Sequence, residues 1–310
     1  MIAILFVAPF AAWALVRVFG LERGWPLVPL MAFTPYACGL SLLPLAAALA
    51  LRDWPVAALA ALTTLALAAG VLPRAFGRAD QATGGPALRV LTSNLLYGAA
   101  NSEELLALVR TQSVDLLALE EYTPEADKAL RAAGLDVLLP YRVAHPRDEP
   151  GGSALYSRFP LVDGGYRFLA PYFGQSYATV RVPGAVDVAV EAVHPAAPSA
   201  PHLLRHWRAG LDAEPRATPA GPVRILVGDF NATLDHAPLR RLLASGYRNA
   251  ASVVGKGLAG TWPYDGTKVP KVTIDHALVD PRVAVHAVSA HRITGTDHRA
   301  LLAVLSLPAG

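Results

Sequence analysis

Cysteine and charged residues are both scarce in this sequence. Cys38 is the single cysteine, and charged residues make up 16% of the 310 positions. A lone cysteine excludes, within one chain, a disulfide framework and a metal site built from cysteines. The sequence also contains no internal repeat and no low-complexity stretch beyond a general richness in alanine.

A large excess of positive charge is absent from most of the chain as well. Residues 1–78 contain five basic and two acidic side chains, which account for the whole net charge of +3. Residues 79–310 contain 22 of each and are formally neutral. Because nucleic-acid binding depends on neutralising phosphates with lysine and arginine, this balance gives little support to a nucleic-acid-binding domain.

What the chain does have is apolar sequence near its start. Hydrophobic residues make up 53% of the total, and three apolar stretches (2–19, 27–51 and 56–72) are close to bilayer length. They predict a membrane domain over residues 1–78 with three transmembrane helices. Buried helices of a soluble domain are the alternative, but no amphipathic helix nearby could cover so much apolar surface. The recurrence of apolar spans after the first argues against a cleaved signal peptide.

The charges that flank these stretches bear on the orientation in the membrane. With three spans, four arginines would share one side with the C-terminal domain, whereas the other side offers one arginine beside Asp53. The positive-inside rule, taken literally, places that domain in the cytoplasm. The uncharged start also favours a longer, basic N-terminus upstream of Met1.

The rest of the chain has the pattern of an α/β domain. Residues 79–87 form a predicted linker, residues 88–93 predict a strand, Ser102 predicts a helix cap, and residues 115–119 predict a second buried strand. Strand, helix and strand in this order are typical of α/β proteins. Further strands are predicted at 152–156, 177–182, 186–193, 225–229, 272–279, 283–288 and 300–307, and further helices at 124–133, 201–213 and 238–244.

Polar side chains stand at the ends of the predicted strands. In residues 225–231 a short apolar run ends at Gly228 and is followed by Asp229 and Asn231. Such a run predicts a buried strand that delivers a carboxylate and an amide to its C-terminal end, where open α/β sheets usually bind their ligands. The full set of such positions is Asn94, Glu121, His194, Asp229, Asn231, Asp275, Asp297 and His298.

Any one of these residues alone is better explained as a turn former or as an ordinary core histidine. Together they place several carboxylates and two histidines at strand ends, with hardly a lysine among them. Burying those acids side by side would raise their pKa values or require a cation. Oxygen ligands favour a hard ion, so the sequence predicts Mg²⁺ or Mn²⁺ rather than Zn²⁺.

Six short motifs carry a resemblance to a known family. In chain order they are 90–94 (VLTSN), 115–121 (DLLALEE), 152–160 (GSALYSRFP), 228–231 (GDFN), 274–275 (ID) and 296–298 (TDH). The ordered set resembles the successive motifs of the endonuclease/exonuclease/phosphatase superfamily, which has the deoxyribonuclease I-like fold. The resemblance implies a four-layer α/β sandwich, of class α/β or α+β, in a catalytic domain over residues 88–310. It also implies metal-dependent cleavage of phosphate esters.

The resemblance further implies a role for each matching residue. Glu121 corresponds to the principal metal ligand, with Asn94 and Asp297 in the near shell of the metal. Glu120 stands where relatives commonly have glutamine, so it is the weaker candidate. Asp229 would orient or deprotonate the attacking water.

The remaining matches concern the phosphate and the leaving group. Asn231 would hold the phosphoryl oxygens, and His298 would contact the phosphate and assist the leaving group. Asp275 would fix the tautomer of His298, and His194 matches the second phosphate-contacting histidine of the deoxyribonuclease I and sphingomyelinase branches. The chain departs from the family pattern at His276, where an aromatic residue is usual, and at Arg299.

The three spans, together with residues 260–263 (GTWP), resemble a particular branch, the actinobacterial membrane phosphatases linked to teicoplanin resistance (VanJ-like). That resemblance implies a catalytic domain that faces outward and acts on lipid-linked cell-wall intermediates, which opposes the positive-inside count. We expect the extracytoplasmic orientation. Trp262 would be either a core residue or a wall of the substrate pocket.

Three functions can be ranked from the sequence. The first is a phosphodiesterase or pyrophosphatase that is tethered to the lipid bilayer and acts on a lipid-linked phosphate ester. The second is a membrane-tethered nuclease, which would need basic stripes with stacking aromatics. The third is a non-catalytic phosphate-binding module that has kept the fold, although every motif position is present.

Overall fold

A computed structural model describes residues 2–82 and 84–310 of the chain. The helices in these residues are α1 (Ile2–Phe19), α2 (Leu27–Leu30), α3 (Thr34–Leu40), α4 (Leu42–Ala50), α5 (Trp54–Val71), α6 (Ser102–Thr111), α7 (Pro124–Ala132), α8 (Leu135–Leu138), α9 (Leu204–Asp212), α10 (Ala237–Ala244) and α11 (Ala250–Val253). Short 3₁₀ turns cover Met31–Phe33, Leu72–Ala75 and Pro201–Leu203. The strands are β1 (Gly84–Asn94), β2 (Leu116–Glu120), β3 (Tyr141–His145), β4 (Ser153–Ser157), β5 (Leu161–Leu169), β6 (Phe173–Val180), β7 (Val188–Val193), β8 (Val223–Asp229), β9 (Arg248–Asn249), β10 (Asp275–Val279), β11 (Ala284–Arg292) and β12 (Arg299–Pro308).

These strands form two six-stranded sheets. The first has the order β11-β12-β1-β2-β4-β3 and the second the order β5-β6-β7-β8-β10-β9. Apolar side chains of both sheets, such as Val90 and Leu116 of the first and Val190 and Ile225 of the second, form one buried core. The predicted sandwich of two packed sheets is therefore confirmed.

Helices cover the outer face of each sheet. Leu105 of α6 and Leu130 of α7 pack in one core cluster with the outward side chains of the first sheet. Trp207 of α9 and Leu239 of α10 do the same for the second sheet. Helix, sheet, sheet and helix make four layers, and the strand ends lie at the edges of this stack.

Two local predictions differ from the structure. The cap of α6 is Asn101 rather than Ser102, because Asn101 has an extended backbone and its Oδ1 accepts a hydrogen bond from the backbone N of Glu104 at 3.0 Å. Strand β1 begins at Gly84, so it includes the end of the segment predicted as a linker. Strands β3 and β5 were not predicted, because each is a partly exposed edge strand without a buried apolar run.

The N-terminal segment contains the apolar helices. By length and composition, Leu27–Ala50 and Trp54–Ala75 are able to cross a membrane, and a shorter apolar helix covers Ile4–Phe19. Length and composition alone are weak support for a membrane anchor. Three transmembrane helices therefore stay a prediction.

This N-terminal segment is joined to the sandwich by buried polar contacts. Arg17 at the end of α1 and Arg74 after α5 both pair with Asp235, whose side chain is fully buried. Glu22 accepts a hydrogen bond from the backbone N of Ala237 and so caps α10. The apolar helices consequently lie against the part of the sandwich that follows β8.

Candidate active site

The predicted site residues meet at one edge of the sandwich, where central strands of both sheets end. Asn94 is the last residue of β1 and Glu121 follows β2, which runs parallel to β1. Asp229 is the last residue of β8, and Asp275, the first residue of antiparallel β10, lies directly opposite it. His298 immediately precedes β12, which pairs with β1. Strand pairing therefore gathers residues that are far apart in the sequence.

Asn94 links the two sheets at this edge. Its Nδ2 donates to Glu121 Oε1 and to Asp229 Oδ2, each at 3.1 Å. Its Oδ1 accepts from the backbone N of Leu96 at 2.9 Å, which fixes the orientation of the amide. The predicted ligand Glu121 and the predicted water-binding residue Asp229 are thus held by one buried side chain.

Two of the site residues follow their strands in a left-handed backbone conformation. The φ angle is 52° at Glu121 and 48° at Asn231, which is uncommon outside glycine. Glu121 Oε2 accepts from the backbone N of Tyr97 at 2.8 Å, and the backbone N of Asn231 donates to Asp229 Oδ1 at 2.8 Å. Backbone in this region costs about 1–3 kcal/mol and is concentrated at functional sites. These hydrogen bonds keep both turns in place.

His298 and Asp275 form a buried pair. The Nδ1 atom of His298 lies 3.0 Å from Asp275 Oδ2, and its Nε2 lies 3.6 Å from Asp229 Oδ2. Burial lowers the pKa of His298, but the negative charges of Asp275 and Asp229 outweigh burial and raise it well above its usual value. These carboxylates therefore favour the imidazolium form of His298, in which Nε2 is available as a proton donor.

His194 approaches the same carboxylate from the neighbouring strand. Its Nδ1 donates to the carbonyl of Pro150 at 3.1 Å, while its Nε2 lies 3.8 Å from both Glu121 Oε1 and Asp229 Oδ2. Gly228 makes this approach possible, because a Cβ there would lie 2.2 Å from the carbonyl oxygen of Val193. Two histidines thus face Asp229, and burial raises the pKa of that carboxyl.

The donor set fits a divalent cation. Asp297 Oδ1 is buried and lacks a hydrogen-bond partner among the described residues, whereas its Oδ2 accepts from Trp262 Nε1 at 2.8 Å. A cation bound by Asp297 would satisfy this orphaned oxygen. Ligand atoms of Asp229, Asp275 and His298 also lie within 4.8 Å of one another. The hydrogen bond between His298 and Asp275 already explains why those two side chains lie close together. The assignment of Glu121, Asn94 and Asp297 as metal ligands therefore stays our prediction.

The departures from the family pattern have structural roles. His276 is buried, donates from Nε2 to the carbonyl of Ala232 at 2.8 Å, and accepts at Nδ1 from Asn249 Nδ2 at 3.0 Å. Burial lowers the pKa of His276 to about 4, so the ring is neutral. Arg299 donates to the carbonyl of Gly260 at 3.2 Å. Neither residue lines the site cavity.

A cavity of about 730 Å³ opens over these residues. Six of the eight predicted site residues line it, namely Glu121, His194, Asp229, Asn231, Asp297 and His298. Asn94 and Asp275 are buried and contact the lining residues from behind. Trp262 lies on the wall, which agrees with the alternative that placed it in the substrate pocket.

The sequence did not predict one side of this cavity. Pro29, Ala32 and Phe33, from the second apolar stretch, line it together with the predicted site residues. His236 also lines the cavity and donates from Nε2 to the carbonyl of Val28 at 3.0 Å. Apolar residues inside a predicted membrane span give no signal that separates a lipid-facing position from a cavity-facing one.

Comparisons with known proteins agree with this architecture. A structure of an endonuclease/exonuclease/phosphatase from Beutenbergia cavernae is 20% identical, with a TM-score of 0.55 over 71% of this chain and 72% of that one. A humanised D. rerio TDP2 is 14% identical, with a TM-score of 0.57 over 71% of this chain and 99% of that one. The D. rerio TDP2 complex with a single-strand DNA product is 13% identical, with a TM-score of 0.56 over 71% and 99%. At such identities the likeness shows the fold.

Sequence comparison assigns the family. No protein of curated function matches the chain significantly. The family model described as the endonuclease/exonuclease/phosphatase family matches residues 91–298, which is well over half of the chain. The chain therefore belongs to the endonuclease/exonuclease/phosphatase family.

Proposed function

We propose that this protein is a membrane-anchored, divalent-metal-dependent phosphoesterase that hydrolyses a phosphodiester or pyrophosphate of a lipid-linked substrate. Members of this family are in general metal-dependent phosphoester hydrolases. The observation that carries the finer proposal is the cavity, which is lined both by Phe33 of the apolar N-terminal segment and by the acids and histidines of the site. A substrate bound there would contact both kinds of surface.

The metal would be Mg²⁺ or Mn²⁺, held by Glu121 and Asp297. Asn94 would lie in the near shell and orient Glu121, because its Nδ2 donates to Glu121 while its Oδ1 accepts from the backbone N of Leu96. When bound, such an ion neutralises charge that develops on the non-bridging phosphate oxygens. The orphaned oxygen of Asp297 and the oxygen-rich donor set support this assignment.

The residues of the chain would carry out the proton transfers and the positioning. Asp229 lies at the end of β8 and would orient the attacking water and accept its proton. His298, held as an imidazolium by Asp275, would donate from Nε2 to the leaving oxygen. His194, whose Nε2 lies 3.8 Å from Asp229 Oδ2, would contact a phosphate oxygen. Asn231, whose Nδ2 donates to the carbonyl of Pro195 at 3.1 Å, has a second N–H for the phosphate.

These roles predict large losses of activity on substitution. Removing a general acid or base costs roughly 10²–10⁴ in rate, so His298→Ala and Asp229→Ala should each nearly abolish turnover while the protein stays folded. Asp212→Ala removes an exposed carboxylate on α9 that pairs with Arg241 and is the matched control. The mechanism is wrong if both site variants keep most of their activity in a metal-supplied assay.

The arrangement of the apolar helices supports a multi-pass anchor over residues 1–78, followed by a catalytic domain whose first strand begins at Gly84. Arg17 at the end of α1 and Arg74 after α5 both contact Asp235 of the sandwich. The apolar stretch Leu27–Ala50 instead begins beside the sandwich, where the carbonyl of Val28 accepts a hydrogen bond from His236. This alternation of direction is what three crossings require.

The catalytic domain is proposed to be extracytoplasmic. Arg17 and Arg74, half of the arginines that favour the opposite orientation, have a structural partner in Asp235, which weakens the charge count as a topological signal. Proteinase K added to intact cells should degrade the catalytic domain. Protection in intact cells with degradation after permeabilisation would reverse the orientation.

A membrane-tethered nuclease is the second candidate, because the similar D. rerio TDP2 structure contains a single-strand DNA product. The formal neutrality of residues 79–310 speaks against it. Release of phosphate from a polyprenyl pyrophosphate and nicking of a plasmid, each with Mg²⁺ and with Mn²⁺, separate the two candidates. Absence of both activities together with absence of metal binding would favour a non-catalytic phosphate-binding module.

A further inference from the structure

The wall that the N-terminal segment contributes to the cavity is wholly apolar. Pro29, Ala32 and Phe33 all line the cavity and belong to α2 and the 3₁₀ turn that follows it. Each is half-buried, and none carries a polar side chain. This wall therefore offers nothing to a phosphate group.

The catalytic domain supplies a second apolar surface to the same cavity. Leu203, Val269 and Val272 line it alongside Phe33. A water molecule occupies about 30 Å³ in the liquid, so a phosphate group with the bulk of a few waters fills a minor part of the 730 Å³. The remaining space suits a group that gains free energy by leaving water, such as a hydrocarbon chain.

The apolar wall is fixed to the catalytic domain on both sides. The carbonyl of Val28 accepts a hydrogen bond from His236 Nε2 at 3.0 Å, directly before the wall. After it, the hydroxyl of Tyr36 donates to the carbonyl of Lys271 at 2.8 Å. The segment is consequently a built part of the site rather than a loose tether.

We propose that Pro29, Ala32 and Phe33 form a subsite for the first carbons of the hydrocarbon chain attached to the scissile phosphate. The apolar N-terminal segment then determines specificity as well as location. This inference rests on the proposed phosphoesterase function, because the phosphate must occupy the site beside His194 and His298.

The test uses the full chain in lipid nanodiscs and a series of methyl, butyl and hexyl 4-nitrophenyl phosphates. These esters are short enough to stay dissolved in water, so partition into lipid does not dominate. Each methylene that enters an apolar site is worth up to about fourfold in kcat/KM, so the wild-type protein should prefer the hexyl ester strongly.

Two substitutions alter the wall in opposite ways. Phe33→Ala removes apolar surface and should reduce the preference for hexyl over methyl roughly tenfold, with little change for the methyl ester. Ala32→Leu fills the space and should slow the hexyl ester alone. Leu30→Ala is the matched control, since Leu30 is an exposed neighbour that does not line the cavity. The subsite is refuted if both wall variants keep the wild-type preference.

A binding measurement separates this inference from the proposed activity. Calorimetric titration with methyl phosphate and hexyl phosphate requires no turnover. Tighter binding of hexyl phosphate to the wild-type protein, lost in Phe33→Ala, supports the subsite even if no ester is hydrolysed. Equal affinities for the two phosphates in the wild-type protein overturn it, whatever the activity, while hydrolysis of none of the esters counts against the proposed function alone.

Discussion

Replacing Asp235 with asparagine would leave two buried arginines without an anion. Arg17 Nε lies 2.7 Å from Asp235 Oδ1, and Arg74 Nη1 lies 2.8 Å from Oδ2. The side chains of Arg17 and Arg74 are 10% and 8% exposed, and that of Asp235 is 0% exposed. Removing one partner of a buried ion pair costs about 3–5 kcal/mol. Asp235→Asn should therefore destabilise the protein by about that amount.

A triple substitution shows whether the loss of stability in Asp235→Asn comes from unpaired charge or from lost packing contacts. Arg17→Met, Arg74→Met and Asp235→Leu together replace the ions by apolar side chains of similar size. Such replacements are often neutral or stabilising, because no ion has to be removed from water. The triple variant should therefore be close to the wild-type protein in stability, although it lacks all three charges.

Thermal unfolding in nanodiscs, followed by tryptophan fluorescence, measures both effects. For domains of this size 1 kcal/mol corresponds to roughly 2–4 °C in Tm, so Asp235→Asn should lower Tm by about 10 °C. Activity should fall as well, since Asp235 is close in sequence to Asp229 and Asn231. The reasoning is refuted if the stability of Asp235→Asn is within about 1 kcal/mol of that of the wild-type protein. It is also refuted if the triple variant is as unstable as Asp235→Asn.

Three further predictions follow from the site. Asp275→Asn removes the charge that keeps His298 protonated, so kcat should fall about 10²–10⁴-fold. The alkaline limb of the pH–rate profile should also move to lower pH, and an unshifted limb contradicts this role of Asp275. Burial depresses the pKa of His276 to about 4, so its contribution to stability is present above about pH 6.5 and is lost as the pH falls towards 4. The stability difference between wild type and His276→Phe in thermal unfolding should shrink by roughly 3 kcal/mol over that range; a constant difference would show that His276 titrates normally. Mg²⁺ or Mn²⁺ at about a hundred times its Kd should stabilise the wild-type protein by about 2.7 kcal/mol, and an equal gain in Glu121→Gln would reject Glu121 as a ligand.

The convergence of the site could be predicted because its residues terminate buried strands. Leu116 to Leu119 are apolar and buried without interruption, and β2 ends with the buried Glu120, so Glu121, the next residue, had to emerge at a sheet edge. Asp229 likewise ends the buried strand β8. Once two such strands are parallel neighbours, their polar ends are neighbours too. The sequence pattern therefore predicts that Asn94 and Glu121 are neighbours, although it does not give the distance between them.

The contacts between the N-terminal segment and the sandwich could not be predicted in this way. Asp235 follows Asn231 in a loop, where an aspartate is normally a turn former. Its partner Arg17 lies 218 positions away in the chain, and neither hydrophobic periodicity nor strand pairing relates the two. Only the tertiary structure shows that the loop after β8 is buried against α1.

The buried pairing of Arg17 and Arg74 also changes how the flanking charges are interpreted. The positive-inside rule treats arginines beside a span as signals for orientation. Here Arg17 and Arg74 neutralise Asp235. Replacing both arginines by uncharged residues would leave the Asp235 carboxylate buried without a partner, at a cost of several kcal/mol. Folding stability therefore requires these arginines on the catalytic-domain side in either orientation, and their presence there carries no information on sidedness. The remaining bias, Arg23 and Arg78 against Arg52 beside Asp53, amounts to a single arginine, so the extracytoplasmic orientation stays a proposal that the protease experiment tests.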